Sequence, residues 1–414
     1  MGVQPADPLI AHPSQEHTTH LMVTNEYYSN KVPFWRDERV LKTVAQIVSS
    51  IIVLGFLYWA IDNFIEITQQ RGMPLTYGFL DEAAGFPISE SWIPYDATMS
   101  FGRAVLVGLI NTLVVSAVGI VLATIIGFIV GLARLSSNWL ISRIALVYIE
   151  FHRNIPLLVL LFLWYFGVFN KFPAVKQSIG IPNIIYLNQR GLYIIWPKLI
   201  EGGVLFVIFL AAGLILAIIT WVVLRHIREV KGVETHYGLV SLGVLIIVPL
   251  IGWFVSGGEP LQFDAPVLKG FNFRGGMRLT PEFAALLIGL AMYTAAFIAE
   301  VFRAGILAVQ KGQIEAARAV GLRYSQILSL IIVPQAMRVI IPPLISQYLN
   351  LTKNSSLALA IGYQELFAIG KVTINQAGRA VPVFLLIMTT YLIISLLTSL
   401  VLNIYNKRVQ FIER

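Results

Sequence analysis

Residues 281–334 read PEFAALLIGLAMYTAAFIAEVFRAGILAVQKGQIEAARAVGLRYSQILSLIIVP. The stretch 281–308 is almost wholly apolar and long enough to cross a bilayer, which takes roughly 20 residues at about 1.5 Å rise each. Beyond it the chain changes character: Glu315-Ala316-Ala317-Arg318-Ala319-Val320-Gly321, then Leu322, then a renewed apolar helical pattern through Ile327, Leu328, Leu330 and Ile331 to Pro334. Strong helix formers and small Ala side chains over 313–320 predict a short helix whose backbone can approach a partner closely. Gly321 can take a positive φ and end that helix, and Pro334 marks the next bend. The expected object is a helix–turn–helix over 310–334 that projects from a membrane span. An ordinary amphipathic connection between spans is the plainer alternative.

The rest of the chain agrees with a membrane setting. Of 414 residues, 57% are hydrophobic and 13% charged, and the mean hydropathy is +0.75. Soluble domains carry about a quarter charged residues, so most of this surface must face lipid. Eight stretches qualify as spans or nearly so: 44–64, 104–133, 145–169, 203–224, 238–255, 281–308, 336–352 and 382–404. The stretch 336–352 carries Arg338, Pro342, Pro343 and Gln347, so it should pack among other helices rather than in lipid alone. The expected fold is an all-α integral membrane protein of about eight transmembrane helices.

Charge sets the expected orientation. With the N-terminus in the cytoplasm, 18 of the 30 Lys and Arg fall on the inner side, in the direction that basic loops favour. The outer segment 65–102 agrees, because Glu66, Asp81, Glu82, Glu90 and Asp96 oppose only Arg71. Both termini are therefore expected inside. The net charge of +8 needs no nucleic acid to explain it. With no cysteine, disulfides, thiolate metal sites and cysteine nucleophiles are excluded. His12, His17 and His20 lie in a polar leader that reads as solvated rather than metal-binding.

The full spacing, E-A-A, three residues, G, nine residues and then I-x-V-P, resembles the cytoplasmic EAA loop of binding-protein-dependent ABC importer permeases, with Val333 where Leu is usual. Gly108-Leu109-Ile110-Asn111-Thr112-Leu113, Arg153-Asn154-Ile155-Pro156-Leu157, the helix Thr294 to Ile306 and Lys353-Asn354-Ser355-Ser356-Leu357 are similar, in order, to segments of polar amino-acid importers. The extra N-terminal span and the inserted pair 203–255 resemble the larger subunit of general L-amino-acid (glutamate/glutamine/aspartate/asparagine type) importers. The resemblance implies a five-helix type I permease core over 104–133, 145–169, 281–308, 336–352 and 382–404. It implies a bacterial inner-membrane location, a pair of ATP-binding-cassette ATPases docking on Glu315, Ala316, Ala317, Gly321 and Leu322, a second and different permease, and a periplasmic amino-acid-binding protein. ATP and Mg²⁺ would belong to the ATPase, and this chain would need no cofactor. The expected segments are a cytoplasmic leader 1–43, an extra span and outer segment 44–103, core parts 104–170 and 281–404 around an insertion 171–280, and a cytoplasmic tail 405–414.

Polar residues within the spans supply candidate substrate or gate positions. Glu300 and Arg303, at i and i+3, can pair; they read either as a gate near the inner mouth or as a structural ion pair. Lys353, Asn354, Ser355 and Ser356 come after a Pro-bent helix, where Lys353 could attract an α-carboxylate and the others hydrogen-bond it. The alternative there is a plain loop with a Ser cap on a helix beginning near Leu357. Asn111 and Gln347 are further candidates. Glu300 reads as the only clear acid deep in the core, which argues against the rival reading, a secondary amino-acid transporter without an ATPase. No nucleophile elbow, paired-His metal motif or phosphate loop is present, so the chain should not itself be an enzyme.

Overall fold

The computed structural model describes residues 37–70, 75–200 and 203–409. The leader histidines lie outside the described residues. The chain divides into two compact units, Met1–Pro74 and Leu75–Arg414. The first contains α1 (Glu38–Gln70), an apolar helix long enough to span a membrane. It begins inside the stretch that the sequence assigns to the leader.

The second unit holds the other helices. They are α2 (Phe101–Arg134), α3 (Trp139–Asn154), α4 (Leu157–Phe162), α5 (Gly203–Lys231), α6 (Tyr237–Val255), α7 (Pro281–Leu307), α8 (Lys311–Ala319), α9 (Tyr324–Ile327), α10 (Val333–Asn354), α11 (Leu366–Ala377) and α12 (Ala380–Val409). Seven described helical stretches can cross a membrane alone, and a bent pair supplies an eighth. That pair is α3 with α4 and its continuation to Lys171, bent by 106°, where the sequence suggests one span over 145–169. Ile155 precedes Pro156 and is driven to extended backbone at φ −99, ψ 129, because the proline ring disfavours the α region before it.

The core forms around α7. Helices α2 and α7 pack along their length through small residues: Gly127 and Gly131, buried on α2, face Ala295 and Ala299 of α7, while Gly119 meets Leu351 of α10 and Leu287 of α7. A Cβ on Gly127 would lie 2.6 Å from Ile298 Cγ2 and 2.9 Å from the Ala295 carbonyl oxygen. In lipid, close backbone approach of this kind supplies the dispersion contacts that hold helices together. Helix α10 packs against α7 and α12, α3 and α4 pack against α7, and α11 bridges α2 and α12. Helices α5 and α6 pair chiefly with each other, so the inserted pair is peripheral.

The insertion is not all helix. It carries eight short strands, β1 (Ile179–Ile181), β2 (Ile185–Asn188), β3 (Gly191–Ile194), β4 (Trp196–Leu199), β5 (Leu261–Asp264), β6 (Val267–Lys269), β7 (Asn272–Arg274) and β8 (Met277–Leu279). They form a sheet ordered β1-β2-β3-β8 and the pairs β4-β5 and β6-β7. The spacing of β-branched and aromatic residues with turn glycines explains them; the membrane-crossing part is helical as expected, with the strands confined to the insertion. The strands lead into the first turn of α7 and α8 comes after its last, so strands and α8 occupy opposite ends of the bundle.

Candidate functional site

The loop after α7 has the expected geometry. Helix α8 ends in a backbone motif in which Gly321 N–H donates to Arg318 O at 3.0 Å and Leu322 N–H to Ala317 O at 3.1 Å. Gly321 sits at φ +82, the left-handed cap that favours glycine. Ala317 and Ile327 are buried and anchor the loop to the core, with Leu322 and Ile331 packed on the same cluster. Glu315, Ala316 and Arg318 are exposed, and Val320 is 76% exposed. A groove of about 530 Å³ runs between Gln313, Ala316, Val320 and Ile331. Pro334 does not bend the chain as expected. It occupies the first turn of α10, where a missing N–H is tolerated, and a π-helical turn at Leu328–Ile332 joins α9 to α10. Residues Tyr324–Ile361 therefore read as one long span instead of a short helix at 336–352.

The intramembrane candidates fall in separate places. Glu300 and Arg303 pair on α7: Arg303 Nε donates to Glu300 Oε2 at 2.9 Å, and a terminal guanidinium nitrogen to the same oxygen at 2.8 Å. Glu300 also lines a cleft of about 330 Å³ with Gln347, Val339, Pro343 and Arg153, and the Arg153 guanidinium lies 5.4 Å from the Phe297 ring centre. Lys353 and Ser356 border a different and mostly apolar groove beside Phe367, Met388 and Tyr391. Ser355 is buried and donates to Thr352 O at 2.7 Å; Ser356 donates to Lys353 O at 2.8 Å. Asn354 is half-buried at the end of α10. No helix begins at Leu357. A 3₁₀ helix, Ser355–Ile361, runs to Gly362, and the next α-helix, α11, is capped by Glu365 rather than by a serine. Asn111 is fully buried and donates to Glu90 O at 3.0 Å and Gln364 O at 2.8 Å, which makes it a tie between segments.

Two acids that sequence reading passed over do much of the positioning. Among the described residues Glu365, not Glu300, is the deepest acid, at 0% exposure. Its carboxylate accepts from Phe367 N at 3.0 Å, Ala368 N at 2.8 Å and the Tyr391 hydroxyl at 2.7 Å. The polar run Tyr363-Gln364-Glu365 inside an apolar stretch was the available signal. At the strand end, Glu90 Oε2 accepts from Thr280 N and Oγ1 at 3.1 and 2.6 Å, and Thr280 in turn caps α7 by accepting from Phe283 N. Gln364 clamps the same segment, accepting from Ser89 N at 2.6 Å and donating to Pro87 O at 3.2 Å. Residues 87–90 thus strap α2, α7 and the entry to α11 together. Burial pushes the Glu90 carboxyl up to about 7, against the lowering effect of the Thr280 bonds and of the nearby Arg278.

The comparisons with known proteins fit this architecture. Residues 239–411 match the family described as binding-protein-dependent transport system inner membrane component. The chain is 44% identical over 385 residues, 91% of its length and 94% of the relative's, to the general L-amino acid transport system permease protein AapQ of Rhizobium johnstonii. It is 38% identical over 408 residues, 91% of its length and 96% of the relative's, to the glutamate/glutamine/aspartate/asparagine transport system permease protein BztB of Rhodobacter capsulatus. With a bundle of membrane-crossing helices, an exposed loop carrying the expected spacing, and identity at this level across nearly the whole length, the chain belongs to the family of binding-protein-dependent transport system inner membrane components and is a multi-pass permease subunit.

Proposed function

We propose that this permease subunit carries L-amino acids, polar and acidic ones among them, inward through an ATP-binding-cassette importer. The observation that carries the reading is the identity of 44% and 38%, each over 91% of the chain, with permeases named for general L-amino acids and for glutamate, glutamine, aspartate and asparagine. Helix α8 is assigned to the cytoplasm with both termini, and the strands to the periplasm. The groove at Ala316 and Val320 is where an ATPase helix would seat, since small side chains leave the α8 backbone approachable and the Gly321 cap fixes its direction. An ATPase pair would bind ATP and Mg²⁺, while this chain binds neither. A second, different permease would complete the pathway, and a periplasmic amino-acid-binding protein would deliver the substrate.

The cleft between Glu300, Arg153 and Gln347 is the better candidate for an inner gate, and Lys353 with Asn354 for a contact facing the partner permease. Motion of α8 would reach the first directly, because α7 carries Glu300 and continues into α8. The test is uptake of labelled glutamate into liposomes holding the whole complex. Uptake should require ATP with the ATPase and binding protein outside with the substrate. Undiminished uptake without ATP, driven by an ion gradient alone, would refute the reading.

A further inference from the structure

Charge is segregated among the described residues outside the helical bundle. Segment 75–100 holds Asp81, Glu82, Glu90 and Asp96 with no Lys or Arg, whereas the inserted strand module, 171–200 and 256–280, holds seven basic residues against Glu259 and Asp264. Three of those cations are linked by a run of contacts that leads from the Phe271 side chain to Tyr193. Lys176 Nζ lies 5.7 Å from the Phe271 ring centre. Arg190 donates to the Phe271 carbonyl oxygen at 3.2 Å. Arg278 donates to the Arg190 carbonyl oxygen at 3.1 Å, with its guanidinium 6.0 Å from the Tyr193 ring centre. Among the described residues none of these three cations lies within salt-bridge distance of a carboxylate, and only Arg278 acts on one at longer range, Glu90. Carbonyl dipoles and aromatic faces hold like charges together that would otherwise repel.

Phe271 is 80% exposed. It sits in the two-residue turn between β6 and β7, behind Gly270 at φ +68, so hairpin geometry fixes it at the tip. The direction of the cluster is set by strand alternation. On β8, Leu279 packs into the helical core, so Arg278 lies on the opposite face of the sheet, beside Tyr193. Phe273 of the hairpin covers that face, stacked 4.3 Å from Tyr186 and tilted against Tyr193 with ring centres 5.1 Å apart. The cations therefore lie on the side of the sheet turned away from the membrane helices.

We propose that the Lys176–Arg190–Arg278 cluster, with Phe271 as its apolar anchor, is a docking surface for an acidic face of the periplasmic binding protein. The inference rests on the proposed function for the identity of that partner. An exposed aromatic beside Lys176 and Arg190, two cations outside any salt bridge among the described residues, is the composition of an interface centre, and complementary charge speeds the encounter and fixes its register. A membrane lipid is the less suitable occupant because the sheet separates the cluster from the helices.

The test uses the whole complex in nanodiscs and measures the concentration of amino-acid-loaded binding protein that half-stimulates ATP hydrolysis. Three variants are compared with wild type: Lys176→Glu with Arg190→Glu, Lys176→Gln with Arg190→Gln, and Phe271→Ala. Copurification with the ATPase shows that each is assembled. At low salt the charge reversal should raise the half-stimulating concentration by about tenfold or more, the neutral pair by less, and the gap should narrow as salt is added. Phe271→Ala should raise it by roughly fivefold or more at every salt concentration. Wild-type values in all three variants would overturn the proposal, as would an effect confined to sedimentation with anionic vesicles. A wild-type complex with no ATP-dependent uptake at all would instead remove the transport reading on which the partner's identity rests.

Discussion

Replacing Glu365 should reveal how much one buried carboxylate holds the region after α10 in place. Its two oxygens serve different partners: Oε1 accepts from Ala368 N at 2.8 Å, and Oε2 from Phe367 N at 3.0 Å and the Tyr391 hydroxyl at 2.7 Å. The Thr112 hydroxyl, 3.4 Å from Oε2, also lies 3.0 Å from Gly108 O, so it has another acceptor. Glu365→Ala removes the helix cap, worth about 1 kcal/mol, and takes this acceptor from the half-buried Tyr391 hydroxyl and a backbone N–H, at about 1–3 kcal/mol each. The sum is roughly 3–7 kcal/mol. Glu365→Gln is informative because it keeps the shape but has one oxygen. With that oxygen facing Phe367 and Tyr391, the amide nitrogen meets the Ala368 N–H donor to donor, and one bond is lost, for about 1–3 kcal/mol. Thermal unfolding of the purified complex should rank wild type above Gln above Ala, with the Ala variant lower by on the order of 10 °C. Protection of the α11 amides from hydrogen exchange should fall in the same order. An Ala variant as stable as wild type, or a Gln variant less stable than Ala, would refute the argument.

Gly321→Asp forces a branched side chain to φ +82, where nothing crowds the site, so the cost is backbone strain of about 1–2 kcal/mol confined to the loop. Membrane insertion should survive while ATPase stimulation and uptake fall, and unchanged uptake would remove the coupling role. Glu300 and Arg303 are 24% and 33% exposed, so their coupling should be about 0.2–1 kcal/mol in a double-mutant cycle of Glu300→Gln and Arg303→Gln, as for solvent-screened pairs. A coupling of several kcal/mol would mean that the pair is shut off from water in the working complex. Glu90, raised from 4.5 to about 7 by burial, keeps a proton in the folded chain between those values that the unfolded chain has released. Its contribution to stability is thus highest below about pH 4.5 and is lost as pH rises through 7, by roughly 3 kcal/mol in all. Glu90→Gln should flatten that part of the pH–stability curve, and an identical slope in both proteins would contradict the assignment.

Much of this protein was open to reading from its sequence, and for a clear reason. Lipid demands long apolar runs, so span number can be read from hydropathy, and the loop after α7 is local chemistry: small residues for a bare helix face and a glycine where φ must be positive. The turn at Gly321 is set by residues within five positions of it, so no distant contact was needed to foresee it. The break before Pro156 was as local, yet a hydropathy window averages over it.

What the sequence could not decide was which polar groups meet. Asn111 and Glu365 are some 250 positions apart in the chain, and only the packing of α2 against the entry to α11 brings their neighbours into hydrogen-bond range. Glu300 and Gln347 share one cleft and Lys353 another because α10 crosses α7 at one level and faces α11 and α12 at the next. Glu90 looked like one acid among several in an outer segment; its role came from Thr280, 190 residues away, whose cap on α7 it completes. Local composition fixes what each segment can be, whereas burial decides which polar atoms must find partners, and burial is a property of the assembled helices.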